Sequence, residues 1–540
     1  MPSIRPFAPL LVAALLPVVS PTPLHAQPAP AGPPFPVSDE GVTVTPAPVV
    51  VAGPRGEATY LWLGECGEDV ALCGRGFGED GGAVGPERQL LPSTVVLDAV
   101  PAAAATPDGE MWLVWSRPGA GFAREIVGRR FSIDGIAQGL EVVVASQPAQ
   151  VYASPGVAVD PSGRVVVVWE RQRFEGTDEG GAPIFSGVEV RVRELSPSGA
   201  PLGPAIPVDD SQGALVSSPT VAAGTDGEWL VAWQSFAFGP EEDDVLVRHF
   251  EATTPAGPVP GPILRAHLGG AGRQVRPVAA ASAQGTYLVA WQGPRPGGAP
   301  GTGVFFQVFR GSVPLFPAEL SAGAGVSERT SPDASGADDS FTVVWLDSRS
   351  GGSVWGQRWG AEGLPIGPDF RIDEAAAGSP AHPAVGAFGG PGAASGLWAG
   401  WTVVADDFGR SVHGRRYPGQ VAPPEPCVPG ETALCLGAGD RFRVTAIWAT
   451  SGAAGAGRAE PLTADTGWFW FFRDTNLELI VKVLDGCPVN GRFWVFAGGL
   501  TDVAVELVVE DAATGARRTY SNPRGTAFRP IQDTAAFGCP

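Results

Sequence analysis

Histidine and acidic residues are the first candidates for chemistry, and their spacing matches no common enzyme motif. Beyond residue 26 the histidines are His249, His267, His382 and His413, well separated along the chain. The sequence has no H-E-x-x-H zinc motif, no G-x-S-x-G nucleophile elbow and no Walker A loop. Carboxylates from distant segments could still meet in the fold and cleave a glycosidic bond. We therefore assign no catalytic residue, metal ligand or cofactor from the sequence.

Two clusters could bind a ligand. The four carboxylates of Glu241–Asp244 could chelate calcium, but they lack the alternating spacing that lets oxygens converge on one ion, so a solvated loop is the preferred interpretation. Trp468, Trp470 and Phe472 alternate along one predicted strand and so share a face. Burial in a core is the ordinary role of such rings. As the alternative, they form a ligand-binding platform that stacks on sugar rings.

Most of the chain consists of a motif that occurs seven times. A short P-x-V-A segment, a turn with Asp or Gly and an apolar run ending in Trp recur every 53 to 64 residues. A polar loop, an alternating strand, a Gly-containing turn and a last short strand follow each Trp. Four strands in about 55 residues are typical of a β-propeller blade. The terminal residues of the runs are Trp62, Trp115, Trp169, Trp233, Trp291, Trp345 and Trp401.

The ends of the repeat region predict how it closes. The seventh copy lacks a fourth strand, and residues 35–44 before the first copy look like that missing strand. Pairing them would leave no unpaired edge. The sequence therefore predicts an all-β fold with a seven-bladed β-propeller closed by the N-terminal strand. An open row of blades or two stacked sandwiches are the alternatives.

The repeats resemble those of a family of bacterial secreted proteins with a D-G turn, a strand ending in V-x-W and a G-x-R-F-like strand. The matching segments include Asp226-Gly227, Leu230–Trp233 and Gly128–Phe131. The resemblance covers residues 47 to about 417. It implies a propeller-like module and no particular activity.

Composition changes after a Pro-rich linker at residues 421–426. Residues 427–540 contain six strand candidates separated by turn dipeptides, which predicts a small C-terminal β-sandwich. This segment resembles a C-terminal module of uncharacterised function found in many bacterial secreted proteins. The resemblance supports export and the domain limits. It is carried by Leu434–Leu436, Arg441–Val444, Trp470–Phe472, Lys482–Cys487, Trp494–Phe496, Thr514-Gly515, Tyr520, Asn522-Pro523 and Asp533-Thr534.

Six cysteines predict disulfide bonds in an exported chain. Cys66 and Cys73 flank a short loop and are expected to pair. The other four allow three pairings. We favour Cys427 with Cys435 and Cys487 with Cys539.

The N-terminus and the charge bear on location and partners. Residues 1–26 have the basic start, apolar run and small-residue end of a signal peptide, so we expect a secreted, extracellular or periplasmic protein whose repeat domain spans residues 27–420. No later segment predicts an integral membrane span. A net charge of −20 argues against nucleic acid.

The function that this sequence favours is a non-catalytic binding or scaffold protein. Its propeller loops would hold a glycan or an extracellular protein, and we expect a monomer without a cofactor. The alternative is a propeller-type hydrolase or lyase that acts on extracellular polysaccharide. A cluster of carboxylates in the central pocket would favour the enzyme.

Overall fold

The computed structural model describes residues 28, 30–38, 45–66, 70–92, 101–121, 123–148, 150–178, 183–209, 215–236, 243–254, 257–267, 272–295, 301–316, 320–323, 327–374, 378–389, 395–405, 410–418, 427–450, 454–512 and 517–539. The chain divides into two compact units. The first contains residues 1–388 and 396–418, and the second contains residues 389–395 and 419–540.

The first unit is built from antiparallel sheets that follow one another along the chain. Sheets 1 to 3 take their strands in chain order: β2 (Thr45–Ala52), β3 (Ala58–Glu65), β4 (Val70–Phe77) and β5 (Arg88–Leu91); β6 (Ala102–Ala105), β7 (Glu110–Pro118), β8 (Arg124–Ser132) and β9 (Ala137–Ala145); β10 (Gln150–Val159), β11 (Val165–Thr177), β12 (Pro183–Leu195) and β13 (Ile206–Pro207).

Sheets 4 to 7 repeat this order, and a short strand at residues 35–36 joins the last of them. Their strands are β14 (Leu215–Ala223), β15 (Trp229–Phe236), β16 (Asp244–Thr254) and β17 (Gly257–Arg265); β18 (Val275–Ala281), β19 (Tyr287–Pro294), β20 (Thr302–Arg310), β21 (Val313–Pro314) and β22 (Leu320–Ser321); β23 (Arg329–Gly336), β24 (Ser340–Asp347), β25 (Ser353–Gly360) and β26 (Pro365–Arg371); β27 (Ser379–Phe388), β28 (Gly396–Val404), β29 (Arg410–Tyr417) and β1 (Phe35–Pro36). A 3-10 turn occupies Arg349–Gly351.

Apolar runs without alternation form the second strand of each sheet because both faces of that strand are covered. In β11, the side chains of Val165, Val166, Val167 and Val168 are all buried, and so is Trp169 at the end of the run. Separate hydrophobic clusters join side chains of neighbouring sheets, such as those of sheets 3 and 4. Burial of both faces removes the period-two pattern that a half-exposed strand would show.

The two ends of the first unit meet in sheet 7. Phe35 of β1 lies opposite Gly414 of β29, and the amides of Val37 and Ser38 donate to the carbonyl of Val412. The Phe35 ring packs against the rings of Tyr60, Phe77 and Trp398, which belong to sheets 1 and 7. The rest of the predicted closing strand, residues 39–44, lies outside the described residues.

The second unit contains two five-stranded sheets. Sheet 8 holds β30 (Ala433–Leu436), β31 (Phe442–Ala449), β32 (Ala454–Ala456), β37 (Ala504–Asp511) and β38 (Arg517–Asn522). Sheet 9 holds β33 (Arg458–Thr463), β34 (Thr466–Trp470), β35 (Leu479–Gly486), β36 (Arg492–Gly499) and β39 (Ile531–Gly538). A single helical turn, α1 (Cys487–Asn490), joins β35 to β36. Side chains of both sheets share one hydrophobic cluster around Phe442, Phe469, Val481 and Leu507.

The disulfide bonds expected from the cysteine count are present. Cys66 is bonded to Cys73, Cys427 to Cys435, and Cys487 to Cys539. Such bonds persist in oxidising compartments and indicate an extracellular or secreted protein. The predicted signal peptide lies outside the described residues. In the part of the chain that the structure describes, no helix is long and apolar enough to cross a membrane.

Candidate functional site

The first unit encloses a cavity of about 470 Å³. Its wall is formed by the first strands of all seven sheets, β2, β6, β10, β14, β18, β23 and β27, and consists mostly of alanine and valine. Sheets in chain order around a shared cavity are a propeller-like arrangement. Among the described residues of the wall, Asp333 supplies the only carboxylate. The described residues of the wall therefore contain no pair of carboxylates.

A ring of strained residues lies at one end of this wall. In five of the first strands the pairing is interrupted by a bulge, and the bulge residue has a φ between 46° and 56° and precedes a proline. A left-handed backbone is unfavourable for residues other than glycine, and more so before proline. These residues, here called the bulge ring, are Ser154, Ser218, Arg276, Ser331 and His382.

Polar residues that follow the buried tryptophans stabilise the bulges. Glu170, next to Trp169, accepts a hydrogen bond at 2.8 Å from the Ser218 amide in the following sheet. Gln292 accepts one at 3.2 Å from the Ser331 amide in the same manner. Burial raises the pKa of Glu170, although hydrogen bonds from the Ser218 amide and the Ser154 side chain oppose the shift. The bulges at Ser218 and Ser331 are thus held by the preceding sheet.

Two members of the bulge ring differ from the rest. Sheets 3, 4 and 6 carry serine at this position, whereas sheet 5 carries Arg276 and sheet 7 carries His382. The Arg276 guanidinium donates through Nη1 to Ser331 Oγ at 3.1 Å, in the sheet between them. Burial lowers the pKa of His382, and the positive charges of Arg276 and Arg410 lower it further. A partly exposed imidazole that is neutral at pH 7 therefore lies near two guanidinium groups.

Asp333 lies two residues beyond Ser331, within the wall. Its Oδ2 accepts a hydrogen bond at 2.8 Å from the amide of Val385 in β27, the strand that carries His382. Burial raises the pKa of Asp333 to about 6. The site thus combines a carboxyl group whose pKa is raised to about 6 with an imidazole whose pKa is lowered by burial and by nearby positive charge. These two groups are suited to proton transfer.

The predicted aromatic platform lies in sheet 9 and is rearranged at one end. Trp468 and Trp470 are half-buried on the face opposite to the buried Phe469. Phe472 follows the end of β34, is 50% exposed, and packs against Trp448 of sheet 8 at 4.8 Å between ring centroids. The face of Trp468 continues into neighbouring strands through Ile480, Lys482, Leu484, Trp494 and Phe496.

The other histidines and the acidic loop have local partners. Nε2 of His267 lies 2.9 Å from Asp244 Oδ1, and Nε2 of His249 lies 3.3 Å from Glu228 Oε2. Asp243, from the same acidic run, accepts from Arg273 at 2.7 Å. Residues 241 and 242 lie outside the described residues. Asp243 and Asp244, two of the four carboxylates considered as calcium ligands, thus have partners within the protein.

Sequence reasoning missed Arg276 and His382 because they are more than 100 residues apart and match no motif. A signal was nevertheless present. Once the repeats are aligned on the residue before the proline, serine is found in three copies, alanine and valine in the first two, and charged or titratable side chains only in the copies with arginine and histidine. A departure from the shared residue at a strained position indicates a role other than holding the repeat together.

Comparisons with known proteins identify no family. No family model and no curated protein matches this chain. Solved structures do match. They include a polysaccharide lyase, an ulvan lyase bound to -[GlcA(1-4)Rha3S]- (10% identity, 70% of this chain and 95% of that one, TM-score 0.45). Others are the β-propeller domain of the Trilobed protease from Pyrococcus furiosus (8%, 70% and 94%, 0.40) and α-L-arabinanase from Penicillium chrysogenum (10%, 71% and 98%, 0.36).

These matches correct the predicted function. The sequence favoured a non-catalytic binding or scaffold protein, but the matched structures are mostly polysaccharide lyases, arabinanases and arabinofuranosidases. The sequence-based prediction rested on the lack of a catalytic motif, although catalytic groups can also come from different copies of a repeat. At about 10% identity the likeness concerns the fold, so residue roles must be argued from this chain.

Proposed function

We propose that this protein is a hydrolase or lyase that acts on extracellular polysaccharide, with its active site at the bulge ring. The observation that carries the proposal is the placement of His382, Ser331 and Arg276 at equivalent positions of three consecutive sheets. Arg276 and Ser331 are in hydrogen-bond contact there, and His382 occupies the equivalent position of the next sheet, beside a cavity whose wall is mostly apolar. Pre-organised polar groups at the rim of a concave site are what an enzyme requires.

Each residue of the proposed active site has a different chemical role. Cleavage of a glycosidic linkage, by water or by elimination, needs a proton transferred at the linkage oxygen or an adjacent carbon. We assign the proton-accepting role to His382, because a neutral imidazole has a free lone pair. Asp333, protonated in mildly acidic solution, is the candidate proton donor. Arg276 and Arg410 would stabilise negative charge that develops during the reaction.

Closure of the repeat would make the ring rigid. We propose that the seven sheets are the blades of a closed propeller in which β1 completes sheet 7. The hydrogen bonds from Val37 and Ser38 to Val412, and the packing of Phe35 between sheets 1 and 7, support this. In the second unit, the hydrophobic cluster shared by sheets 8 and 9 supports a sandwich. We also propose that residues 1–26 are a signal peptide and that Trp468 and Trp470 form a platform that stacks on sugar rings.

The test is cleavage of polysaccharides by the protein lacking residues 1–26. Reducing ends released from a panel of neutral and acidic polysaccharides measure total cleavage, and ultraviolet absorbance of unsaturated products separates elimination from hydrolysis. We expect His382→Asn to lower the rate about 100-fold or more, the usual contribution of general acid–base catalysis. Asparagine tolerates the left-handed backbone of this position.

His413→Asn is the matched control. His413 lies on the third strand of the same sheet, with Nε2 3.2 Å from Ser411 Oγ, and its replacement should leave the rate unchanged. If no polysaccharide of the panel is cleaved, or if the His382 and His413 variants are equally active, the proposal is wrong.

A further inference from the structure

The arginine of the bulge ring differs in its partners from the arginines of the first unit that pair with carboxylates. Arg117 lies 3.0 Å from a carboxylate oxygen of Glu125, Arg273 lies 2.7 Å from Asp243, and Arg371 lies 2.8 Å from Asp373. Within the described residues Arg276 has no carboxylate partner and donates one hydrogen bond, to Ser331 Oγ. A guanidinium group has five N–H donors. Most donors of Arg276 are therefore left for a ligand.

The position of this guanidinium group is fixed by the fold. Its backbone is held at φ 56° in the bulge, between Val275, which pairs with Gln292, and Val278, which pairs with Ala290. The hydrogen bond to Ser331 directs the side chain along the ring toward sheet 7, where His382 occupies the equivalent position. Arg276 is nonetheless exposed to solvent. A positioned, exposed guanidinium group loses little conformational freedom when it binds a ligand.

The positive charge at the bulge ring indicates which chemical group the ligand carries. The protein carries a net charge of −20, which disfavours the approach of polyanions unless positive charge is concentrated locally. At the ring, Arg276 Nη1 is held 3.1 Å from Ser331 Oγ, and the positive charges of Arg276 and Arg410 both lower the pKa of His382, so this part of the surface is cationic. A neutral sugar would gain little from two guanidinium groups. A carboxylate fits the planar fork of arginine and can accept two parallel hydrogen bonds from it.

We infer that Arg276 is a specificity-determining residue that binds the carboxylate of a uronic acid unit, so that the substrate is an acidic polysaccharide. This inference rests on the proposed function and narrows its substrate class. In this arrangement the carboxylate bridges from the Arg276 side of the ring toward His382. The sugar ring that bears it is then placed at the proton-accepting imidazole. Sulfate esters are the competing source of negative charge on a polysaccharide.

The experiment compares matched substrates. Polygalacturonate, polyglucuronate and alginate are each assayed beside the carboxyl-reduced polymer, in which the carboxylates have become alcohols, and a sulfated neutral galactan is included. We expect at least one uronate polymer to be cleaved. If cleavage is hydrolytic, kcat/KM should be lower by about 10- to 100-fold on the reduced form, since hydrogen bonds between charged groups are of that strength. If cleavage is by elimination, the reduced form should not be cleaved, because the carboxylate is also needed to acidify the adjacent C–H bond. Arg276→Gln should lower kcat/KM on the uronate polymer by a similar factor and have a clearly smaller effect on the reduced polymer, which offers no carboxylate for Arg276 to bind.

Arg273→Gln is the control, because Arg273 is an exposed arginine three residues away that is paired with Asp243. It should retain near wild-type kcat/KM. Cleavage of a reduced polymer as fast as of the uronate form overturns the inference and leaves the proposed function intact. Cleavage of the sulfated galactan that depends on Arg276 overturns the carboxylate assignment in favour of sulfate. No cleavage of any polymer by the wild-type protein refutes the proposed function itself.

Discussion

Tryptophan has different surroundings in the two units. Ten tryptophans of the first unit are at most 2% exposed and lie in or between the sheets. In the second unit Trp448, Trp468, Trp470 and Trp494 are all partly exposed. In the first unit, indole rings therefore pack in the space between neighbouring sheets. The second unit fills its core with phenylalanine and aliphatic residues and leaves its tryptophans at the surface.

The units also differ in how their last residues are held. The first unit joins its two ends without a covalent bond, through β1 and β29. The second unit joins Cys539, its penultimate residue, to Cys487 by a disulfide bond. The two units thus differ in where they place tryptophan and in how they hold their ends. Amino-acid composition does not reveal these differences, but the effect of mutations on stability does.

Removing the closing strand should have the largest effect. Deletion of residues 27–45 removes Phe35 and the hydrogen bonds that Val412 accepts. We expect the unfolding free energy of the first unit to fall by at least about 3–5 kcal/mol, because the deletion removes the packed, partly buried Phe35 ring together with the fully buried Val37 side chain. Calorimetry of the truncated protein measures the loss. A melting temperature equal to that of the full chain would contradict closure.

Truncating an inter-sheet tryptophan should come next. Trp291 is 1% exposed, and its Nε1 donates to Gln274 Oε1 at 2.9 Å. Trp291→Ala leaves a cavity between sheets 4 and 5 and an unpaired buried amide. We expect a loss of about 3–5 kcal/mol in chemical denaturation. A loss below about 1 kcal/mol would show that the interface between these sheets can collapse around the missing ring.

Much of this architecture can be predicted from the sequence, because the tryptophans recur at nearly constant spacing and the turns contain glycine. The all-β class and the disulfide bonds follow from such local patterns. The bulge ring could not be predicted. It requires knowing that Arg276 and His382 occupy equivalent positions around one cavity, and sequence distance does not reveal that. Phe472 illustrates a smaller failure: alternation predicts a face only while the strand continues, and β34 ends at Trp470.

The disulfide bonds of the two units should differ in strength. Cys66 and Cys73 are 7 residues apart, and Cys487 and Cys539 are 52 residues apart. On the chain-entropy model, the longer loop gives roughly 3–4 kcal/mol and the shorter roughly 2 kcal/mol. Replacing each pair by serine and measuring denaturation of the corresponding unit tests this. Equal losses would show that native-state contacts, and not loop entropy, determine the contribution.

Two aspartates should respond to pH with opposite signs. Burial raises the pKa of Asp333 in the first unit to about 6, whereas hydrogen bonds from Thr463 and Thr466 lower that of Asp465 in the second. Because Asp333 binds its proton more tightly when folded, its contribution to stability is full below pH 4 and is lost as pH rises through 6. We expect roughly 2 kcal/mol less stability at pH 7 than at pH 4 from this group. Asp333→Asn should remove that slope, and an unchanged slope would contradict the shift.

The smallest change in stability is expected at the surface tryptophans, and there binding is the informative measurement. Trp468 shares its face with Trp470 and lies opposite Ile480 in the neighbouring strand, so an alanine at this position opens no cavity in the core. We expect Trp468→Ala to lower the unfolding free energy by less than about 1 kcal/mol, well below the effect of Trp291→Ala, because the indole is already in contact with water.

If the face is a platform for sugar rings, the Trp468→Ala variant should bind insoluble polysaccharide about 10-fold more weakly in a pull-down, as expected for the loss of one stacked ring. Phe472→Ala is the matched control, since Phe472 packs against Trp448 beyond the end of the strand. Equal binding by wild type and Trp468→Ala would rule out the platform, and a loss of several kcal/mol would show that this face is core after all.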